Sequence, residues 1–378
     1  MALAASGCGH PAKNSASEQR EQAAACATGR GRVALVLGAR ANTPAPRLTP
    51  AALSLVDTAI DGGQLISVVG VDGAPDVEFR GAFEDTGKNG SRSAKDHDTF
   101  VKSLTNTIHR MKAGRPEADL LAALAEAAGN VGPGGTVVVA DSGLQTVAPL
   151  DFRRDGVLDA QATDVADFLK RQGSLPQLTG ISVLFSGVGD TAPPQARLPL
   201  PEHKNLVAIW KAIAVEAGAE CVAADPVPAT GAAVPHTPAV SVVKVRPLET
   251  YPPSCGNHVL RNSGSVGFLP DTSVLRDRPA AAVALRELAD WAVAHHAKIG
   301  LIGTTASAGT ADGRRRLSLD RATAVRDVLV SLGVPAHDIT LRGVGTRWPG
   351  HVQDLDSEGR LLPGPAERNR SVVLDLVC

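Results

Sequence analysis

Aromatic side chains are scarce in this 378-residue chain: three Trp, one Tyr and seven Phe, 3% in all. Ala, Gly and Val abound instead. Charge of one sign is lacking too. The formal net charge is −1, and the basic run Arg314-Arg315-Arg316 is short and local, which argues against a nucleic-acid partner. No apolar run approaches the ~18 residues that a membrane-spanning helix needs. The five cysteines (Cys8, Cys26, Cys221, Cys255, Cys378) contain no Cys-x-x-Cys pair, so neither a zinc knuckle nor a dithiol redox motif is written here. Gly-x-Ser-x-Gly and phosphate-loop patterns are absent as well. His97, His109, Asp141 and Ser142 fall in no recognisable triad order, and neighbours such as His295-His296 point about 100° apart on a helix. The expectation is a non-enzymatic protein with no cofactor and no metal.

What is present is alternation. Val33–Leu37, Leu65–Val71, Thr136–Ala140, Ile181–Phe185 and Cys221–Ala223 read as buried strands, because short continuous apolar runs suit a sheet covered on both faces. Helices are expected at Leu48–Ile60, Thr99–Met111, Glu117–Ala128, Asp159–Arg171 and Asn205–Ala217, with Lys88–Asp98 as a surface loop. This order predicts an α/β domain, a doubly wound and mainly parallel sheet. The composition divides the chain into a leader (1–31), a first domain (32–225), a Pro/Ala/Gly-rich linker with a strand-like stretch at Ala239–Val245 (226–263) and a second domain (264–378). In the second domain, Val266–Leu269 reads as a strand, Thr340–Arg342 and Ser371–Val377 as further strands, and Thr346–Arg368 as an exposed polar insertion.

The densest signal runs from Ile299 to Val330. An apolar strand ends at Gly303-Thr304-Thr305, a small-polar loop contains Gly309, and Leu317-Ser318-Leu319-Asp320-Arg321-Ala322-Thr323-Ala324-Val325 opens a helix. Ser318 reads as its N-cap, which puts Arg321 in the first turn, where a guanidinium suits a carboxylate. Gly343-Val344-Gly345 and Asn369-Arg370-Ser371-Val372 follow. The ordered set, from Val266 to Val377, resembles the OmpA-like peptidoglycan-binding domain, an α+β fold. The resemblance implies a site for the diaminopimelate of a peptide stem. Arg321 would take its carboxylate, with Thr305, Ser318, Asn369 and Arg370 around it. The family's aspartate, which takes the ammonium group, is Ala306 here, and the family's second Arg after Asn is Ser371. Asp312 or Asp320 would have to substitute for that aspartate.

The first domain's order of elements resembles a von Willebrand factor type A domain. Its metal motif is degenerate: Gly38, Arg40 and Asn42 stand where carboxylate and hydroxyl ligands belong, and only Asp141 matches. One carboxylate beside an arginine holds a divalent cation poorly, so Asp141 is expected to pair with Arg40 or cap the following turn. Ala5-Ser6-Gly7-Cys8 resembles the end of a lipoprotein signal, which implies a lipid on Cys8. Four cysteines then remain. Of their three pairings, the domain-wise one is Cys26–Cys221 with Cys255–Cys378. Together these readings describe a cell-envelope protein, extracytoplasmic and lipid-anchored. It would bind peptidoglycan through its second domain and an unknown protein partner through its first. The alternative is an interaction scaffold in which both inherited ligand sites are lost.

Overall fold

The computed structural model describes residues 25–26, 29–87, 89–245 and 251–377. Cys8 and Cys378 lie outside them. The chain folds into two compact units that interleave in sequence: Met1–Ser142, Pro176–Pro193 and Ala217–Pro238, and then Gly143–Leu175, Pro194–Glu216 and Ala239–Cys378.

The first unit is built on a six-stranded sheet. Its strands are β1 (Val33–Leu37), β2 (Leu65–Gly70), β3 (Val77–Ala82), β4 (Thr136–Ala140), β5 (Ser182–Ser186) and β6 (Cys221–Ala224), in the order β3-β2-β1-β4-β5-β6. All pairs are parallel except β2–β3. Every residue of β1 and β4 is buried, which is why both read as unbroken apolar runs. Helix α1 (Pro50–Asp61) starts at Thr49, whose hydroxyl accepts from the Ala52 amide, with Pro50 at the position that needs no donor. Its Leu55, Val56, Ala59 and Ile60 join one core with Val33, Leu35, Leu37, Ile66 and Val68. Helix α2 (Gly90–Arg110) begins at Asn89, whose side chain accepts from Arg92 N at 3.0 Å. It therefore takes in most of the stretch read as a loop. That opening is polar and buries nothing before Leu104, so it carries no apolar period to read. Helix α3 (Leu120–Val131), capped by Asp119, packs on β1, β2 and β4. Cys26 and Cys221 form a disulfide, with Cα atoms 5.6 Å apart.

In the second unit, α4 (Ala162–Arg171) and α5 (Leu200–Glu216) pack on each other. The stretch Ala239–Val245 forms no strand. Instead the Gln195 side chain imitates one, accepting from Val243 N at 2.8 Å and donating to Val243 O at 2.9 Å. The second sheet has the order β7-β10-β8-β9. Its strands are β7 (Gly256–Arg261), β8 (Lys298–Thr304), β9 (Ile339–Gly345) and β10 (Ser371–Val377). Strand β10 runs antiparallel to both neighbours, and β8 and β9 are parallel. Val266–Leu269 is not a strand but a loop, buried at Val266 and Phe268 and fixed where Phe268 N donates to Asn262 Oδ1 at 2.9 Å. The true edge strand was hidden by polar Asn257, His258 and Arg261. Helices α6 (Arg278–Ala294) and α7 (Ala311–Ser331) cover the sheet with a shared apolar core. Cys255 is disulfide-bonded.

Glycine sets how closely α7 approaches. A Cβ on Gly303 would lie 1.8 Å from Ser318 O, and one on Gly343 2.5 Å from Arg315 O and from Leu319 N. These are backbone atoms and cannot swing aside. Gly303→Ala should push α7 off β8 and destabilise this unit by about 1–3 kcal/mol or more, the scale of an overpacked core. Chemical denaturation checks this, and an unchanged midpoint would contradict the packing account.

Candidate functional site

The helix that carries Arg321 starts earlier than its sequence implies. Thr310 is the N-cap and accepts from Gly313 N at 3.1 Å. Arg321 is thus in the third turn, away from the free amides of the helix start, and it is buried. Its exposure is 1%. Ser318 is an interior residue whose hydroxyl donates to Arg315 O and accepts from Gly345 N at 3.0 Å. It ties α7 to the end of β9 and caps nothing.

Arg321 lies under a cavity of about 330 Å³, lined by Asp271, the loop Thr305–Thr310, Gly313, Arg314, Leu317 and Arg370. The Arg321 guanidinium carbon sits 5.2 Å from the centre of the Phe268 ring, a favourable face for a cation. Nε donates to Thr272 O at 2.9 Å. Burial, and then the neighbouring Arg370, bring the pKa of Arg321 down to about 10, so it is still a cation at neutral pH. Of the residues read as site candidates, Thr305, Arg321 and Arg370 line this cavity and Ser318 and Asn369 do not. Asn369 donates to Val352 O and to Asp354 Oδ2, both at 2.8 Å. Asp354 in turn accepts from Ser307 N. So the polar insertion is pinned down, and it braces the cavity loop rather than hanging free. Arg314 braces the same loop by donating to Ser307 O and Gly309 O.

Arg370 is 3% exposed. Its Nη2 lies 2.6 Å from Asp164 on α4, and its Nη1 lies 3.8 Å from Glu367. Burial raises the pKa of Asp164 in spite of Arg370. Glu367 lies in the short helix α8 (Pro363–Asn369) and accepts two hydrogen bonds from Asn262 Nδ2, at 3.0 and 3.2 Å. Burial outweighs Arg370, Asn262 and Arg276 and lifts the Glu367 pKa to about 7. A raised carboxyl pKa favours the native state when the group is protonated. Its contribution is complete below about pH 4.5 and is lost as pH rises through about 7. The span corresponds to about 3 kcal/mol. Glu367→Gln should flatten this part of the stability profile between pH 5 and 7 in denaturant titrations; parallel profiles would refute it.

In the first unit, β1 and β4 are neighbours at the point where the strand order reverses, the usual ligand crevice of such sheets. Here it is filled from within. Arg40 Nε and Nη2 donate to the two carboxylate oxygens of Asp141 at 3.0 and 2.8 Å, and Nη2 also reaches Ser142 Oγ. Both side chains of the pair are fully buried. Asp141 thus pairs with Arg40, one of the two roles open to it. Gly38 makes room for it: a Cβ there would lie 2.1 Å from Asp141 Oδ2. Among the described residues no cluster of His, Cys, Asp or Glu is arranged to hold a metal. No helix among them is long and apolar enough to cross a membrane.

The OmpA family model matches residues 267–358. Residues 267–358 are therefore an OmpA family domain, and the cavity over Arg321 is lined largely from within them. Solved structures match about a third of the chain. The peptidoglycan-associated lipoprotein from Burkholderia pseudomallei is 24% identical over 32% of this chain and 87% of its own, with a TM-score of 0.24. The cell wall anchor of the T6SS from Pseudomonas aeruginosa is 20% identical over 32% and 81%, with a TM-score of 0.25. The OmpA-like domain of FopA1 from Francisella tularensis subsp. tularensis SCHU S4 is 17% identical over 32% and 71%, with a TM-score of 0.24. No curated protein matches the chain.

Proposed function

We propose that this chain is a non-enzymatic bacterial cell-envelope protein whose OmpA family domain holds the peptide stems of peptidoglycan. The observation that carries this reading is Arg321. It is a buried cation with one backbone hydrogen bond, set under a cavity of about 330 Å³. A buried charge is costly unless something balances it, and a stem-peptide carboxylate would do so with two parallel hydrogen bonds. Thr305 and Arg370 belong to the same cavity, while Ser318 and Asn369 act behind it as supports. The Cys26–Cys221 disulfide suits an oxidising, extracytoplasmic compartment, and a lipid on Cys8 would tether the chain there.

The first unit, read as a von Willebrand type A-like domain, would serve a protein partner. The buried Arg40–Asp141 pair favours the second reading, an inherited site lost, for that unit alone. Cosedimentation with purified sacculi separates the two readings of the whole chain. Saturable pelleting is expected. A chain that stays in the supernatant at every sacculus concentration is the scaffold.

A further inference from the structure

We propose that Asp164, on α4, is a positioning residue for wall binding: it grips one nitrogen of the Arg370 guanidinium and so presents the other to the ligand. The inference rests on the peptidoglycan reading. It adds to it a residue about a hundred positions before the matched stretch 267–358, and it gives the α4–α5 helix pair a part in binding.

The two prongs of Arg370 have different surroundings. Nη2 lies 2.6 Å from Asp164 Oδ2. Nη1 is buried without a hydrogen-bond partner, and the Glu367 carboxylate, 3.8 Å away, is beyond bonding reach. A guanidinium is a rigid planar fork, so a carboxylate fixed at one prong sets the direction of the other. Buried donors are nearly always paired in a native protein. An open one on a residue only 3% exposed, at the wall of a cavity, points to a ligand that accepts from it.

Asp164 can set that direction because it is itself held. Helix α4 buries Val165, Ala166 and Leu169 and packs on α5 and α8. Asn205 of α5 donates to Leu158 O and Ala160 O at 2.8 and 2.9 Å, which pins the chain as it enters α4. The same stretch touches α8 directly: a Cβ on Gly156 would lie 2.5 Å from Gly364 O, and Asp155 pairs with Arg368 at 3.3 Å. Asp164 stands in the first turn of α4, where the helix dipole favours its anion. Glu367 is the competing acid, on the Nη1 side. Without Asp164 the fork would turn onto Glu367, and Nη1 would be engaged inside the protein. Binding groups need this kind of support to keep a productive geometry.

The test is a double-mutant cycle on the full chain, read by calorimetric titration with a synthetic stem tripeptide ending in diaminopimelate. Asp164→Asn keeps the shape of the side chain and should weaken binding about tenfold, the scale of one hydrogen bond to a charged group. Arg370→Gln should weaken it at least as much. The double variant should bind as Arg370→Gln alone does, because residues that act through one contact are not additive. Asp155→Asn breaks the other ion pair between this stretch and α8 and should bind as wild type. Melting curves confirm that each variant is folded. If Arg370→Gln is not, Arg370→Lys replaces it, since an ammonium has no second prong to present, and Asp164→Asn should then cost nothing further. Wild-type affinity in Asp164→Asn would overturn the role of Asp164 while leaving the wall reading intact. So would losses that multiply in the double variant, wild-type affinity in Arg370→Gln, or an equal loss in Asp155→Asn, which would show that packing alone matters. No binding by wild type would overturn the wall reading and this inference with it.

Discussion

Arg321→Ala should lower affinity for a soluble stem peptide at least about 30-fold, and Arg321→Lys should lose nearly as much. Removing one member of a buried, hydrogen-bonded charge pair costs roughly 2–5 kcal/mol. Lysine restores the charge but not the planar fork that grips a carboxylate with two bonds. The pair of variants is needed because the Arg321 side chain is also part of the packing: it lies on Phe268 and anchors Thr272 O. Alanine opens a hole there and will also lower stability. Lysine fills much of the space, so a folded Arg321→Lys protein that has lost the peptide isolates the binding role. Calorimetric titration beside a melting curve reads both quantities. Wild-type affinity in Arg321→Lys would mean that a point charge suffices and that the bidentate account is wrong.

The second large effect is on stability. The Cys26–Cys221 bridge spans 195 positions. In the chain-entropy model a loop of that length is worth about 5 kcal/mol. It ties the residues before β1 to β6 at the far edge of the same sheet, and both cysteines pack with that sheet's core. Replacing both by serine should lower the melting temperature of the first unit by roughly 10–20 °C, at a few degrees per kcal/mol for a unit of this size. The transition of the OmpA family domain should not move. Scanning calorimetry of the double variant separates the two transitions. An unmoved first transition would show that the bridge constrains little in the unfolded chain.

Much of the scaffold could be read from the residues, for physical reasons that differ element by element. Val33–Leu37 and Thr136–Ala140 are buried on both faces, so their apolar runs are unambiguous. Arg321-Ala322 with Val325 and Leu329 sits on a periodic helix, and Gly303 and Gly343 mark the backbone approach that the helix requires. What escaped lies where periodicity is silent. The first turns of α7, Ala311 to Arg316, hold no large apolar residue, so the helix seemed to begin at Ser318 and Thr310 was overlooked as its cap. Strand β7 buries only Leu260 among polar neighbours, and the buried Phe268 loop passed for the strand instead. Of the residues that line the cavity, Arg321, Thr305 and Arg370 were legible because they stand in recognisable local words. Asp271 was not, since nothing local distinguishes it from any turn aspartate. Only the fold brings it to Arg321, and the Thr272 carbonyl that anchors the guanidinium has no signature in sequence. Asp164, on α4, reaches Arg370 for the same reason.

The central claim is that the cavity over Arg321 receives the carboxylate of a wall peptide. A crystal structure of the full chain with a stem tripeptide ending in diaminopimelate tests it most directly. The account predicts the terminal carboxylate within hydrogen-bond distance of both Arg321 and Arg370, with Thr305 Oγ1, buried without a hydrogen-bond partner in the free chain, bonded to the peptide. A peptide seated elsewhere on the chain, with Arg321 contacting only Thr272 O, would contradict it.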